Sequence, residues 1–367
     1  PGTHCMVLVG MSRAMVGLFV GFGLLVGVLV GFFGMGGAFL VTPALLVMGY
    51  ATRVAVGSGL AFVFGTSVIA TLKHRDLGQV DYKLGLLMIV GTTAGIEVGK
   101  ETVVHLESLG LAGSIISVTY VFLLGGIGAF VTYEAVKGDD SDGGIDHDAA
   151  EEPADADDIP DIAKKIQSYT IPPMIDLRGG VTVSLWMILG VAFATGLLSG
   201  FLGVGGGFIR MPALFYLIGV PVPIAVGTDL FEIVFSGGLG SFLYALDGGV
   251  DLSIVVPLLG GSAFGARIGS AATSIVDEEE IKVYFGLMLL GGSLAVAVRE
   301  IGSVYEIPVL NQVSLALILG SALLVSGAVV HSSITALREE SRASAPTAED
   351  DPRSRNGGSP RSHPAPV

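Results

Sequence analysis

The chain has 367 residues, of which 51% are hydrophobic and only 14% charged, with 55 glycines and a mean hydropathy of +0.75. Ordinary soluble domains carry about a quarter charged residues, so a water-soluble fold cannot hide this much apolar surface. The single cysteine, Cys5, excludes a disulfide scaffold, and the net charge of −14 excludes a nucleic-acid binder.

No Asp, Glu, Lys or Arg occurs over residues 14–52, 54–72, 108–133, 179–209 or 307–337. A spanning helix needs about 20 apolar residues, so the fold class is an all-α, polytopic membrane bundle, lodged in the cell membrane in several passes. In chain order, helices are predicted near 14–33, 38–49, 53–72, 84–104 and 111–136. A second series follows near 182–203, 207–219, 224–246, 252–274, 281–298 and 310–335. Residues 138–161 separate the two series and hold 11 carboxylates with no Lys or Arg. Such a block cannot bury enough apolar area to fold and reads as a solvated linker. The expected organisation is a first membrane repeat at 1–137, an acidic linker at 138–178, a second repeat at 179–337 and a disordered tail at 338–367. Trp186 and Tyr82 fall where interfacial aromatic belts are expected, and His105 and His331 lie near helix ends.

The two series are duplicates. Residues 31–45 (GFFGMGGAFLVTPAL) and 200–214 (GFLGVGGGFIRMPAL) share nine identities in fifteen. An offset of 170 then matches Gly57 to Gly227, Thr66 to Ser236, Asp81 to Asp251, and Gly91, Gly95 and Gly99 to Gly261, Gly265 and Gly269. Duplication in a membrane protein is the usual mark of a transporter whose halves rock about a central site. Lys73, His74, Arg75 and Lys83 surround the loop after the third helix, whereas its duplicate around Asp247–Asp251 carries no positive charge. That asymmetry favours inverted over parallel halves.

Each short helix follows a glycine box and carries a proline, Pro43 or Pro212. The boxes hold Gly34, Gly36 and Gly37 in the first half and Gly203, Gly205, Gly206 and Gly207 in the second. Glycine permits a sharp turn and close backbone approach, and in lipid a broken helix survives where it lines a cavity. Fresh helix N-termini there suit an anion. The competing reading is close helix packing through small residues. It is preferred for the Gly91/95/99 and Gly261/265/269 ladders, and the cavity reading for the boxes. No Gly-Lys-Ser/Thr, HExxH or GxSxG motif is present, so nothing supports an enzyme, a metal centre or a cofactor.

The duplicated box, the following VGT and a G-x-x-x-G-A-x-x-G helix resemble the TauE/SafE family over residues 14–335. The resemblance implies secondary export or exchange of a small anion such as sulfite, an organosulfonate or a small carboxylate. The acidic insertion depart from the family pattern, as does Arg210, which stands where an aliphatic residue is common.

Ionisable groups inside a span cost about 2.5–3.5 kcal/mol each on insertion scales, which singles out Glu97, Arg210, Asp229, Glu232 and Arg267. Asp229, Glu232 and Ser236 share one helix face. Thr66 and Ser236, at duplicate positions, offer hydroxyls to an anion, and Arg210 offers a two-donor clamp. The bland alternatives are that Asp229 caps its helix and Glu232 pairs with a base. Glu97 and Arg267, at equivalent positions, are expected to pair across the pseudo-two-fold. The expected partners are a small anionic substrate and the lipid bilayer, with self-association left open. The rival readings are an anion channel, a metal-ion permease, or a receptor or scaffold that recruits a partner through the acidic loop.

Overall fold

The computed structural model describes residues 12–34, 38–139, 172–177, 182–273, 275–276 and 278–343. These form eleven helices and one hairpin. In the first half, α1 is Arg13–Phe33, α2 Ala38–Val47, α3 Thr52–Asp76, α4 Tyr82–Ser108 and α5 Ala112–Asp139. Strands β1 (Met174–Asp176) and β2 (Thr182–Ser184) lead into the second half. There, α6 is Leu185–Leu202 and α7 is Gly207–Pro212, prolonged by a π-helical turn over Ala213–Ile218. The rest are α8 Val222–Leu246, α9 Leu252–Ala272, α10 Glu278–Val304 and α11 Pro308–Ala343. Eight of them are long and apolar enough to cross a membrane. α4, the duplicate of α9, carries Lys83, Glu97, Lys100, Glu101 and Glu107 and is not among the eight.

Two boundaries differ from expectation. β1 lies inside the stretch assigned to the linker, because Leu177 and Val183 find apolar cover against Leu84, Met88 and Ile188. Lys83 Nζ also donates to the Asp176 carbonyl at 2.8 Å and ties the hairpin to the start of α4. α11 continues to Ala343, past the boundary set at 338. The acidic run from 140 and the tail from 344 lie outside the described residues.

Equivalent helices of the two halves run antiparallel. Ser293 Oγ of α10 donates to the Val121 carbonyl of α5 at 2.9 Å, while a Cβ on Gly286, one turn and more earlier, would meet Thr132 N at 3.0 Å. Along α3 and α8, Gly240 faces Leu60 and Gly237 faces Phe64. The pseudo-two-fold therefore lies across the helices, and the repeat is inverted. Caps obey the same symmetry. Asp81 accepts from Lys83 N and Leu84 N at the head of α4, and Asp251 accepts from Ser253 N at the head of α9. The Asp81 amide donates to Thr228 Oγ1 of α8 at 2.9 Å, and the Asp251 amide donates to Ser58 Oγ of α3 at 3.0 Å.

The glycine ladders join one half to the other. α9 lies parallel along α1, where a Cβ at Gly265 would come 2.8 Å from Val28 N; α4 lies along α6, where a Cβ at Gly95 would come 2.5 Å from Leu197 N. These are backbone-to-backbone contacts, so the packing reading holds for both ladders.

Where α1 and α6 stop, their last carbonyls lack helical partners, and side chains from the rest of the bundle supply donors. His74 Nε2 donates to the Gly31 carbonyl at 2.9 Å, and at the equivalent place Tyr244 OH donates to the Gly200 carbonyl at 2.8 Å. Thr273 Oγ1 serves Phe32, Tyr120 OH serves Leu202, and Thr42 Oγ1 serves Gly203. An unpaired buried acceptor costs about 1–3 kcal/mol. Tyr244→Phe, which removes only the hydroxyl, should therefore lower stability by about that amount in thermal unfolding of detergent-solubilised protein. A Tm equal to that of the parent chain would show that the Gly200 carbonyl is otherwise supplied.

Candidate functional site

Both long helices break at a left-handed glycine, Gly34 after α1 (φ 72°) and Gly203 after α6 (φ 74°). Each break rests on the other half. A Cβ at Gly34 would lie 2.7 Å from Val226 Cα, and one at Gly203 would lie 2.7 Å from Val56 Cα. After Gly203, Gly205 (φ 73°) and Gly206 (φ 79°) are again left-handed and turn the chain into α7. In the first box Gly36 and Gly37 lie outside the described residues.

One turn into α7, Arg210 folds back under the break. It is fully buried. Its Nη1 donates to Asp229 Oδ1 at 2.8 Å and to Glu232 Oε2, its Nη2 to the Gly205 carbonyl at 3.3 Å, and its Nε to Thr195 Oγ1 at 3.4 Å. Asp229 and Glu232 are also fully buried. Glu232 accepts in addition from Thr92 Oγ1 of α4 at 2.5 Å and from Ser236 Oγ at 3.1 Å. Asp229 Oδ2 is buried with no hydrogen-bond partner among the described residues. Thr92, Thr195 and Glu232 fall in the middle third of α4, α6 and α8.

The mirror position is apolar. Val26, Val41, Gly59 and Phe62 stand where the second half has Thr195, Arg210, Asp229 and Glu232. Thr66 and Ser262, equivalents of Ser236 and Thr92, share a 2.8 Å hydrogen bond with each other. The cluster thus belongs to one half of a symmetric frame.

Four expected residues, Arg210, Asp229, Glu232 and Ser236, meet in this cluster beside Gly205 and Gly206, and Gly203 and Gly207 flank it. Two expectations need correction. Arg210 is not an open clamp, since two carboxylates, a hydroxyl and a carbonyl engage its donors. The starts of the two short helices approach each other, with the Phe39 and Phe208 ring centroids 6.3 Å apart. Glu97 and Arg267 are exposed and joined by no ion pair. With 3.6 residues per turn, a residue two past a ladder glycine points about 200° away from it. The ladders face α6 and α1, so both charges face outward. Thr92 and Thr195 were not anticipated. Thr92 was marked only by its duplicate, Ser262, and nothing in the local sequence marked Thr195.

Two sets of spanning helices, inverted on one another, broken where they meet and enclosing a buried charge cluster, define a multi-pass membrane transporter. Comparison with known proteins gives the same class, and the model of the sulfite exporter TauE/SafE family matches residues 19–296. The chain belongs to that family, whose members are transporters and not enzymes. It is 24% identical over 277 residues to the probable membrane transporter protein YunE of Bacillus subtilis (strain 168), covering 73% of this chain and 92% of the relative. It is 25% identical over 265 residues to YjnA of the same organism, likewise a probable membrane transporter protein, covering 68% and 86%. A probable membrane transporter protein of Xylella fastidiosa (strain 9a5c) is 23% identical over 285 residues, covering 77% and 94%. No solved structure matches the chain.

Proposed function

We propose that the protein is a secondary transporter for a small anion, with sulfite and organosulfonates as the first substrates to test and Arg210 as the substrate's counter-charge. The observation that carries this reading is a fully buried guanidinium at a helix break whose donors are held by carboxylates. A carboxylate presents the same acceptor geometry as one edge of a sulfonate or sulfite, so Asp229 on Arg210 holds the place a substrate oxyanion would take. The family description, sulfite exporter, points to the same chemical class.

Purified protein in lipid vesicles should accumulate or exchange at least one of sulfite, thiosulfate, an alkylsulfonate or a small carboxylate. Arg210→Lys should weaken binding of that anion, because an ammonium lacks the planar two-donor edge. Uptake of none of these anions by the parent chain would overturn the reading. Deletion of residues 138–161 should leave flux intact; loss of cellular function with flux retained would favour a recruiting role for the acidic loop.

A further inference from the structure

The cluster holds one guanidinium and two carboxylates, all fully buried. With both acids ionised it keeps one uncompensated negative charge in a dry core, which is costly. The two acids are not equally well served. Glu232 accepts from Arg210, Thr92 and Ser236. Among the described residues Asp229 accepts from Arg210 alone, and its Oδ2 has no partner. Hydrogen bonds to the ionised form hold a carboxylate charged, and Asp229 has fewer of them than Glu232, with Oδ2 left open.

We propose that Asp229 binds the coupling proton, and that Arg210 links this proton to the anion. The inference rests on the small-anion reading. A proton from water forms an O–H bond at Oδ2. Neutral Asp229 then holds Arg210 Nη1 far less strongly, and an oxygen of the substrate takes that donor. Glu232, held by Thr92 and Ser236, keeps Arg210 in place. Binding one proton and one monoanion leaves the charge of the cluster unchanged, so their joint movement is electroneutral.

The surroundings of Asp229 are simple. The charges that act on it among the described residues are Arg210 of α7 and Glu232 of α8. At the cluster α4 contributes Thr92 and α6 contributes Thr195. α3 packs along α8 with Leu60 and Phe64, and its Val63 lies against Gly205. In the π-helical turn Tyr216 meets Phe130 of α5 edge to face.

Two measurements test this. Infrared difference spectra of the full chain between acidic and alkaline buffer, with no anion added, should show a protonated-carboxyl band. It should vanish in Asp229→Asn, which keeps the shape and one acceptor for Arg210, and persist in Glu232→Gln. In vesicles enclosing a pH dye, 2-hydroxyethanesulfonate is the probe, because its own charge is fixed over the working range. Its uptake should carry about one proton per anion, rise about tenfold per unit fall in external pH above the titration of the site, and ignore an imposed membrane potential. Asp229→Asn should lose the pH dependence and make residual flux potential-driven. A band unaffected by Asp229→Asn, or uptake that follows sodium rather than pH, overturns the proposal. Absence of uptake of every anion by the parent chain counts against the transport reading alone, since the band is read without substrate.

Discussion

Arg210→Leu should destabilise the folded protein by about 3–5 kcal/mol, the cost of stranding buried charge when one partner is removed. Two carboxylates face this one guanidinium, and both are fully buried, so the loss should reach the upper part of that range. The measurement is thermal unfolding in detergent, with recovery of monodisperse protein as a second readout. Replacing all three charges together (Arg210→Met, Asp229→Val, Glu232→Met) should restore most of the stability, since a well-packed apolar set of similar volume is often neutral relative to a buried ion cluster. The other half shows that such a set fits this frame, with Val41, Gly59 and Phe62 at the equivalent positions. The triple variant should fold and carry no anion. A single Arg210→Leu variant with unchanged Tm would mean that water reaches the cluster.

The second large effect is expected at the ladders. Gly265→Val and Gly95→Val each push a side chain into the backbone of a neighbouring helix, at Val28 N and Leu197 N. Backbone in a packed helix cannot swing aside as a flexible side chain can. Overpacking of this kind costs about 1–3 kcal/mol, occasionally more, and the whole helix pair must separate to relieve it. Gly260 is the control. It lies on the same helix as Gly265, is exposed, and has nothing within 4 Å of an added Cβ. Gly260→Ala should be neutral or gain about 0.5–1 kcal/mol through helix propensity. Equal yields and Tm values for Gly265→Val and Gly260→Ala would show that α1 and α9 do not meet as described.

Much of the fold was legible because hydropathy and duplication are both local or linear signals. The charge-free runs gave the spans, and the glycine boxes marked both breaks. Asp229, Glu232 and Ser236 were legible as one face of a helix, and Arg210 as a charge where an apolar residue was expected. Their meeting was not legible, since α7 must first fold back under its own break. Thr92 and Thr195 reach the cluster from two other helices, and a threonine in a span is too ordinary to stand out. Glu97 and Arg267 show the converse failure. Equivalence under a repeat places two residues at matching addresses, but only helix rotation decides whether those addresses face each other. The hairpin escaped notice because strands of three residues leave no periodicity to read.

The pairing of α1 with α9 and of α4 with α6 also governs how the chain is assembled. When α5 has been synthesised, neither ladder contact has formed, because one helix of each pair lies beyond residue 184. The first half must wait in the bilayer as an open half-clasp, and the second ladder contact forms only once α9 arrives. Once closed, the halves embrace one another rather than sit side by side. A backbone cut between Asp139 and Pro172 should therefore leave two fragments that purify together in detergent.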